Sequence, residues 1–119
     1  PDELLYDPDT IFKEGLPAFS RRCRECGALI IQAHPYRGNC TPADPQYLDG
    51  VETLNRNPNW DNHNDWALEF ARQHSLLQTS GSDCHKTYQI GNGGILCETL
   101  PETEAELIAL LRSGNYKLI

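Results

Sequence analysis

The chain has 119 residues, enough for one small domain with a modest core and too few for two. Its net charge of −7 and isoelectric point near 4.9 disfavour non-specific nucleic-acid binding, which depends on Lys and Arg neutralising phosphates. No apolar run reaches the length of a membrane span and no signal peptide is visible. The five cysteines are too scattered for a secreted disulfide scaffold, which points to a reducing cytoplasm.

Residues 1 to 9, polar and turn-rich with Pro1 and Pro8, read as a loop. Phe12, Leu16, Phe19, Cys23 and Cys26 then recur at the spacing of an apolar helical stripe. Gly15 and Pro17 interrupt it, because proline is tolerated at the start of a helix and not in its middle. A short turn before Gly15 is therefore expected, then a helix from Pro17 to Cys26 closed by Gly27. The Cys23-x-x-Cys26 pair lacks a second ligand pair for zinc. It also lies at the end of a helix, away from the N-terminus that would stabilise a thiolate, so core packing is expected.

Ala28 to Ala33 is a continuous apolar run of strand length, typical of a parallel strand buried on both faces. It ends at His34-Pro35, where the proline pushes His34 toward extended geometry and so places its ring at the strand's C-terminal end. That ring is a candidate metal ligand or simply a hydrogen-bonded histidine at a strand end. In the turn-rich loop that follows, Arg37 is either a bidentate grip for a phosphate or a solvated cation.

Asp49 to Asn55 reads as the next strand, followed by an Asn- and Pro-rich turn over Asn55 to Asn59. A helix is predicted from about Asp61 to His74. Asp61, Asn62 and Asn64 are its candidate N-caps, and Trp66, Ala67, Phe70 and Ala71 form its buried stripe. His63 and His74 read as surface or boundary residues. Leu76 to Thr79 is a short buried strand leading into Ser80-Gly81-Ser82-Asp83-Cys84-His85, where Gly81 allows a sharp turn.

Asp83 and His85, two apart, point to one side of an extended segment and combine a hard carboxylate with an imidazole. That mixture suits Zn, Mn or Fe, and the alternative is a hydrogen-bonded loop pair. Gly91 to Gly94 reads as a flexible turn into the strand Ile95 to Cys97, since it lacks the Lys-Ser/Thr of a phosphate-binding loop. The last helix starts at the capping box Thr103-x-x-Glu106, shows Leu107, Leu110 and Leu111 on its apolar face and ends at Gly114. Tyr116 to Ile119 is a final strand. The order α-β-β-α-β-β-α-β with apolar strands predicts an α/β fold with a largely parallel sheet.

Three stretches together carry a resemblance: Ile30 to Arg37 with its His34-Pro35, then Asp49-Gly50-Val51-Glu52, then Ser80 to His85. In order and interval they resemble the second half of a PHP (polymerase and histidinol phosphatase) domain, over almost the whole chain from about Pro17. The resemblance implies a metal-dependent phosphoesterase built on a distorted barrel of seven β/α units, with ions at its C-terminal mouth activating water for hydrolysis of a small phosphorylated substrate. It further implies metal-ligand roles for His34, Asp83 and His85, and a packing or supporting role for Glu52.

The family's opening His-x-His is absent here, and barrels of this kind run to more than ~200 residues. Residues 1–119 are therefore expected to form a single partial domain, the C-terminal half of the barrel. Alone the chain should be inactive and bind divalent metal weakly, mainly through Asp83 and His85. Its expected partners are the missing N-terminal half or a second copy in a homodimer or swapped dimer, with nucleic acid and membrane disfavoured. Two other functions stay open: a PHP-type nuclease or polymerase-associated proofreading domain, and a non-catalytic fragment or degenerate interaction module.

Overall fold

The computed structural model describes residues 8–119, so residues 1 to 7 of the predicted N-terminal loop lie outside the described residues. The predicted element order is observed. Helix α1 spans Pro8–Glu25, starting within the stretch expected to be loop, and is broken at Gly15 (φ 77°, ψ 171°) just before Pro17. Of its expected apolar stripe, Cys23 is buried while Phe12, ahead of the break, is 90% exposed. The helix closes on Gly27, whose φ of +74° only glycine adopts readily.

Strand β1 (Ile31–Gln32) is shorter than its apolar run and half-buried instead of buried on both faces. Among the described residues it is an edge strand, paired with β2 (Gly50–Asn55) alone. Strand β3 (Leu77–Gly81) lies on the other side of β2, giving a parallel sheet in the sequential order β1-β2-β3. In the β2–β3 register Glu52 faces Thr79 and Leu54 faces Ser80, so Thr53 is an extra residue in β2.

Helix α2 (Asn64–Gln73) crosses between β2 and β3 and seats on β2 through the small, buried Ala67 and Ala71. The close approach leaves no room for the indole of Trp66, which is 53% exposed and packs edge-on against Tyr36. Its expected place in the buried stripe is thereby corrected. The core formed beneath is Leu48, Val51 and Ala71, with Ile30, Ala43, Phe70 and Leu76 packed around it.

The remaining strands, β4 (Ile95–Leu96) and β5 (Lys117–Leu118), pair antiparallel as a separate two-stranded sheet. Between them α3 (Glu104–Ser113) carries the predicted capping box, with Thr103 accepting from the Glu106 amide and Gly114 closing the helix at φ +69°. On its apolar face Leu111 is buried, whereas Leu107 stays 40% exposed. Two hydrogen bonds dock this C-terminal unit on β3: Tyr116 Oη donates to the Gln78 carbonyl at 2.7 Å and Ser80 Oγ to the Ile119 carbonyl at 2.6 Å. The fold is mixed α/β, and the parallel arrangement is confined to the three-stranded sheet.

Candidate functional site at the C-terminal ends of the parallel strands

His34, Asn55 and Gly81 stand at or just beyond the C-terminal ends of β1, β2 and β3, and the Glu52 carboxylate reaches all three. Glu52 Oε2 accepts the His34 amide at 2.9 Å and the Asn55 Nδ2 at 2.8 Å. Residues three apart in a regular strand point to opposite faces, but the extra residue at Thr53 shifts the pleat and lets Glu52 and Asn55 meet. Its other oxygen lies 2.6 Å from where a Cβ at Gly81 would stand. Gly81 is therefore required by close approach of this carboxylate and not by the sharp turn expected of it, since its φ is not positive. The supporting role implied for Glu52 is what its contacts describe.

Both His34 (φ +29°) and Asp83 (φ +47°) occupy the left-handed region. His34 was expected to be extended ahead of Pro35; instead its carbonyl accepts the Arg37 amide at 3.1 Å and its own amide is tied to Glu52, which together hold the turn. Non-glycine residues in this region are uncommon, cost energy and gather at functional sites. Asp83 likewise breaks the extended segment assumed for Asp83-x-His85. The result turns the Asp83 carbonyl to the His85 ring, 2.8 Å from Nδ1. A carbonyl only accepts, so Nδ1 is the donor in this contact and Nε2 is the ring nitrogen left outside it, the orientation of a histidine that ligates through Nε2. The His85 backbone is fixed by Gln89, a fully buried side chain whose Oε1 accepts the His85 and Lys86 amides, each at 2.9 Å.

The Asp83 carboxylate is 17% exposed and ion-paired through Oδ2 to Arg37 Nη2, whose side chain is 12% exposed. Asn57 Nδ2 donates to the same oxygen at 3.3 Å and to the Asp83 carbonyl at 3.1 Å. Burial by itself pushes the Asp83 carboxyl up. The hydrogen bond and charge of Arg37 and the amides of Asn57 and Asn55 outweigh it and hold the group below the usual carboxylate range. Arg37 is itself cradled: Asn62 Oδ1 accepts its Nε at 2.7 Å, and the guanidinium carbon lies 5.9 Å from the centre of the Trp60 ring. The loop that supplies these partners is braced by its own asparagines. Asn55 Oδ1 accepts the Asn57 amide, Asn64 Oδ1 accepts the Asn55 amide, and the buried Asn62 donates to the Asn57 carbonyl. Asn62 and Asn64 therefore do not cap α2, whose N-cap is His63 in a left-handed conformation with no side-chain cap.

Arg37 and Asp83 are thus brought into contact, and His85 lies next to Asp83. His34 is joined to them through Glu52, and the nearest ring contact described for it is Cys40 Sγ, 3.9 Å from Nδ1. Among the described residues no group of three or more His, Cys, Asp and Glu side chains is placed to hold a metal ion. The donors on hand are Asp83 Oδ1 and His85 Nε2, fewer than the three of an open catalytic site, so these residues by themselves do not fit the ion. Asn57, Asn62 and Gln89 are the contributors that residue-type reasoning passes over. The one signal for the first two is the density of asparagine between Asn55 and Asn64.

Elsewhere in the chain, Cys23 and Cys26 are free thiols, as packing requires, and burial pushes the Cys23 thiol up. A concavity of about 800 Å³ lies between Leu96, Glu98, Leu110 and Tyr116. No helix among the described residues is long and apolar enough to cross a membrane.

No curated protein and no solved structure matches the chain. Residues 61–116 match the family model described as PHP-associated, a span that starts after the His34-Pro35 and Gly50-Val51-Glu52 motifs and includes Asp83 and His85. That match makes the C-terminal segment of this chain similar to the PHP-associated family.

Proposed function

We propose that this chain is the C-terminal portion of a PHP-type phosphoesterase, hydrolysing a small phosphorylated substrate with the help of divalent metal such as Zn, Mn or Fe. The observation that carries the proposal is the convergence at one end of the parallel sheet. Glu52 bonds the ends of β1 and β2 and lies against Gly81 at the end of β3, and Asp83 and His85 follow directly, the position where parallel α/β folds place their chemistry. Within this reading β1, β2 and β3 are consecutive staves of the distorted barrel, and the ligands that Asp83 and His85 lack come from its other half. Metal in such an enzyme supplies an activated water and neutralises charge on the phosphoester.

The chain's own residues have definable tasks. His85 presents Nε2 because its Nδ1 proton is committed to the Asp83 carbonyl, and Gln89 fixes the backbone that carries it. Arg37, the one cation in contact with Asp83 among the described residues, is the group assigned in this reading to gripping a phosphate.

Phosphate release from p-nitrophenyl phosphate by the polypeptide that carries the complete barrel, loaded with Mn²⁺ or Zn²⁺, tests the proposal. Activity lost in His85→Ala is the expected result, and a metal-loaded protein that turns over no phosphomonoester defeats it. A second reading, a non-catalytic interaction module, is favoured by one observation: the carboxylate expected to bind metal is already paired with Arg37. The nuclease or proofreading alternative draws no support from a chain with a net charge of −7.

A further inference from the structure

The turn Gly91-Asn92-Gly93-Gly94, which leads into β4, is held at both ends and free in its middle. The Asn92 amide donates to the Gln89 carbonyl at 3.2 Å, and Gly94 exchanges two hydrogen bonds with Ile119, each of 3.0 Å. Between these anchors, no hydrogen bond among the described residues engages the Gly93 amide or the Asn92 carboxamide, and Asn92 is exposed. The asparagines of the site differ on both counts. The side chains of Asn55, Asn57, Asn62 and Asn64 are all hydrogen-bonded, and none of the four is followed by glycine. Gly93 itself is closely packed: a Cβ there would stand 2.7 Å from Arg56 Cγ and 2.7 Å from the Gly81 carbonyl oxygen, at the end of β3.

We propose that Asn92 is a self-modification site at which the chain converts an asparagine to isoaspartate and so loosens its C-terminal unit from the parallel sheet. The Gly93 nitrogen attacks Asn92 Cγ, and a succinimide ring closes. The bond from Gly93 N to Cγ forms, the bond from Cγ to Nδ2 breaks, and the Gly93 amide proton leaves with the carboxamide nitrogen as ammonia. Water, the one co-reactant, then adds to either imide carbonyl. Opening at Cγ gives aspartate, and opening at the main-chain carbonyl gives isoaspartate, in which the backbone runs through Cβ and Cγ. Glycine as the attacking residue carries no Cβ to hinder the approach. The isoaspartate product has one more backbone carbon and a new carboxylate. A turn pinned at Gln89 and at Ile119 has no slack for that carbon, so Gly93 is lifted from the Gly81 carbonyl or the Gly94–Ile119 pair breaks. Ile119 is also the residue that Ser80 holds against β3, so the strain falls on the docking of the C-terminal unit. The step needs neither metal nor substrate and stands apart from the phosphoesterase reading.

Ageing the folded 119-residue chain in mildly alkaline buffer tests this, with peptide mapping by mass spectrometry and enzymatic methylation of isoaspartate as the readouts. Deamidation is expected at Asn92 roughly tenfold faster than at any other asparagine, since only Asn92 precedes an unhindered glycine. An Asn92 that stays intact in the folded chain overturns the proposal, whether or not the urea-unfolded chain deamidates there, because the fold then protects the turn. Deuterium exchange reads the structural consequence. The amides of Gly94 and Ile119 should lose protection in the aged chain and keep it in an equally aged Asn92→Gln, whose longer side chain closes the ring poorly. Isoaspartate that accumulates with unchanged protection of both amides overturns the loosening. Asn92→Asp adds the charge without the extra backbone carbon and should exchange like the fresh chain. Equal loss of protection in Asn92→Asp would overturn the part assigned to the lengthened backbone.

Discussion

Glu52 carries more of the site's organisation than any ligand candidate, since its carboxylate joins the His34 amide, the Asn55 side chain and the space above Gly81. Removing it leaves a half-buried donor unsatisfied at a backbone position that is already left-handed. Glu52→Ala is expected to destabilise the chain by about 1–3 kcal/mol, measured as a lowered urea midpoint, and Glu52→Gln by less because one acceptor oxygen remains. At this scale the sequence was legible wherever a residue type announces its chemistry. His34, Asp83 and His85 could be singled out as candidates from their side chains alone. Asn57, Asn62 and Gln89 could not, because a neutral amide gains meaning only once its partners are known. The left-handed backbones of His34 and Asp83 were equally invisible: one stands before a proline and the other follows a strand, contexts that both favour extended geometry.

The elements were legible in order and type because each has its own punctuation, such as Gly27 after α1 and Thr103 to Gly114 around α3. Lengths were less so. The apolar run Ala28 to Ala33 contributes only Ile31–Gln32 to the sheet, because a strand extends no further than its single partner pairs with it. Two glycines of the sheet make a matched test. A Cβ at Gly50 would stand 2.7 Å from the Leu77 carbonyl oxygen, part of the backbone, whereas at Gly81 it would meet the tip of Glu52. Gly50→Ala should therefore cost about 1–3 kcal/mol with the site's contacts intact. Gly81→Ala should cost less and instead shift the His34 amide resonance by displacing its acceptor.

The C-terminal unit provides a pH test. Burial raises the Tyr116 hydroxyl above its ordinary value. A group with a raised folded-state value contributes stability that is fully present below about pH 10 and is lost as pH rises through the folded value. The unmodified chain should lose stability on that alkaline side. Tyr116→Phe should be about 1 kcal/mol less stable at neutral pH, from the lost hydrogen bond, and lack the part of the alkaline decline due to Tyr116. Urea midpoints at pH 8 and above pH 10 for the two chains check this.

As a whole molecule the chain has one paired face too few. Among the described residues β1 has a neighbour on one side only, and Leu96 and Leu100 are 56% and 81% exposed near α3. An open strand edge and uncovered apolar surface favour association. Dimerisation or a tightly held partner is the expected outcome in sedimentation at high protein concentration, and a clean monomer without bound material would count against it.

The carboxylate that joins the strand ends has a consequence for how the site comes apart. His34 and Gly81 lie 18 and 29 residues from Glu52 along the chain, yet the His34 amide is bonded to its carboxylate and Gly81 packs directly against it. Segments that share a single tie lose their protection in one event and not one by one. In deuterium exchange the amides of His34 and Arg56, the latter bonded to the Gly81 carbonyl at 2.9 Å, should therefore show a common opening free energy. In Glu52→Ala the two should separate: His34 becomes freely exchanging while Arg56 keeps the protection of the β2–β3 pairing. The end of the sheet would then open as one unit or as independent threads according to the presence of one buried-side oxygen pair.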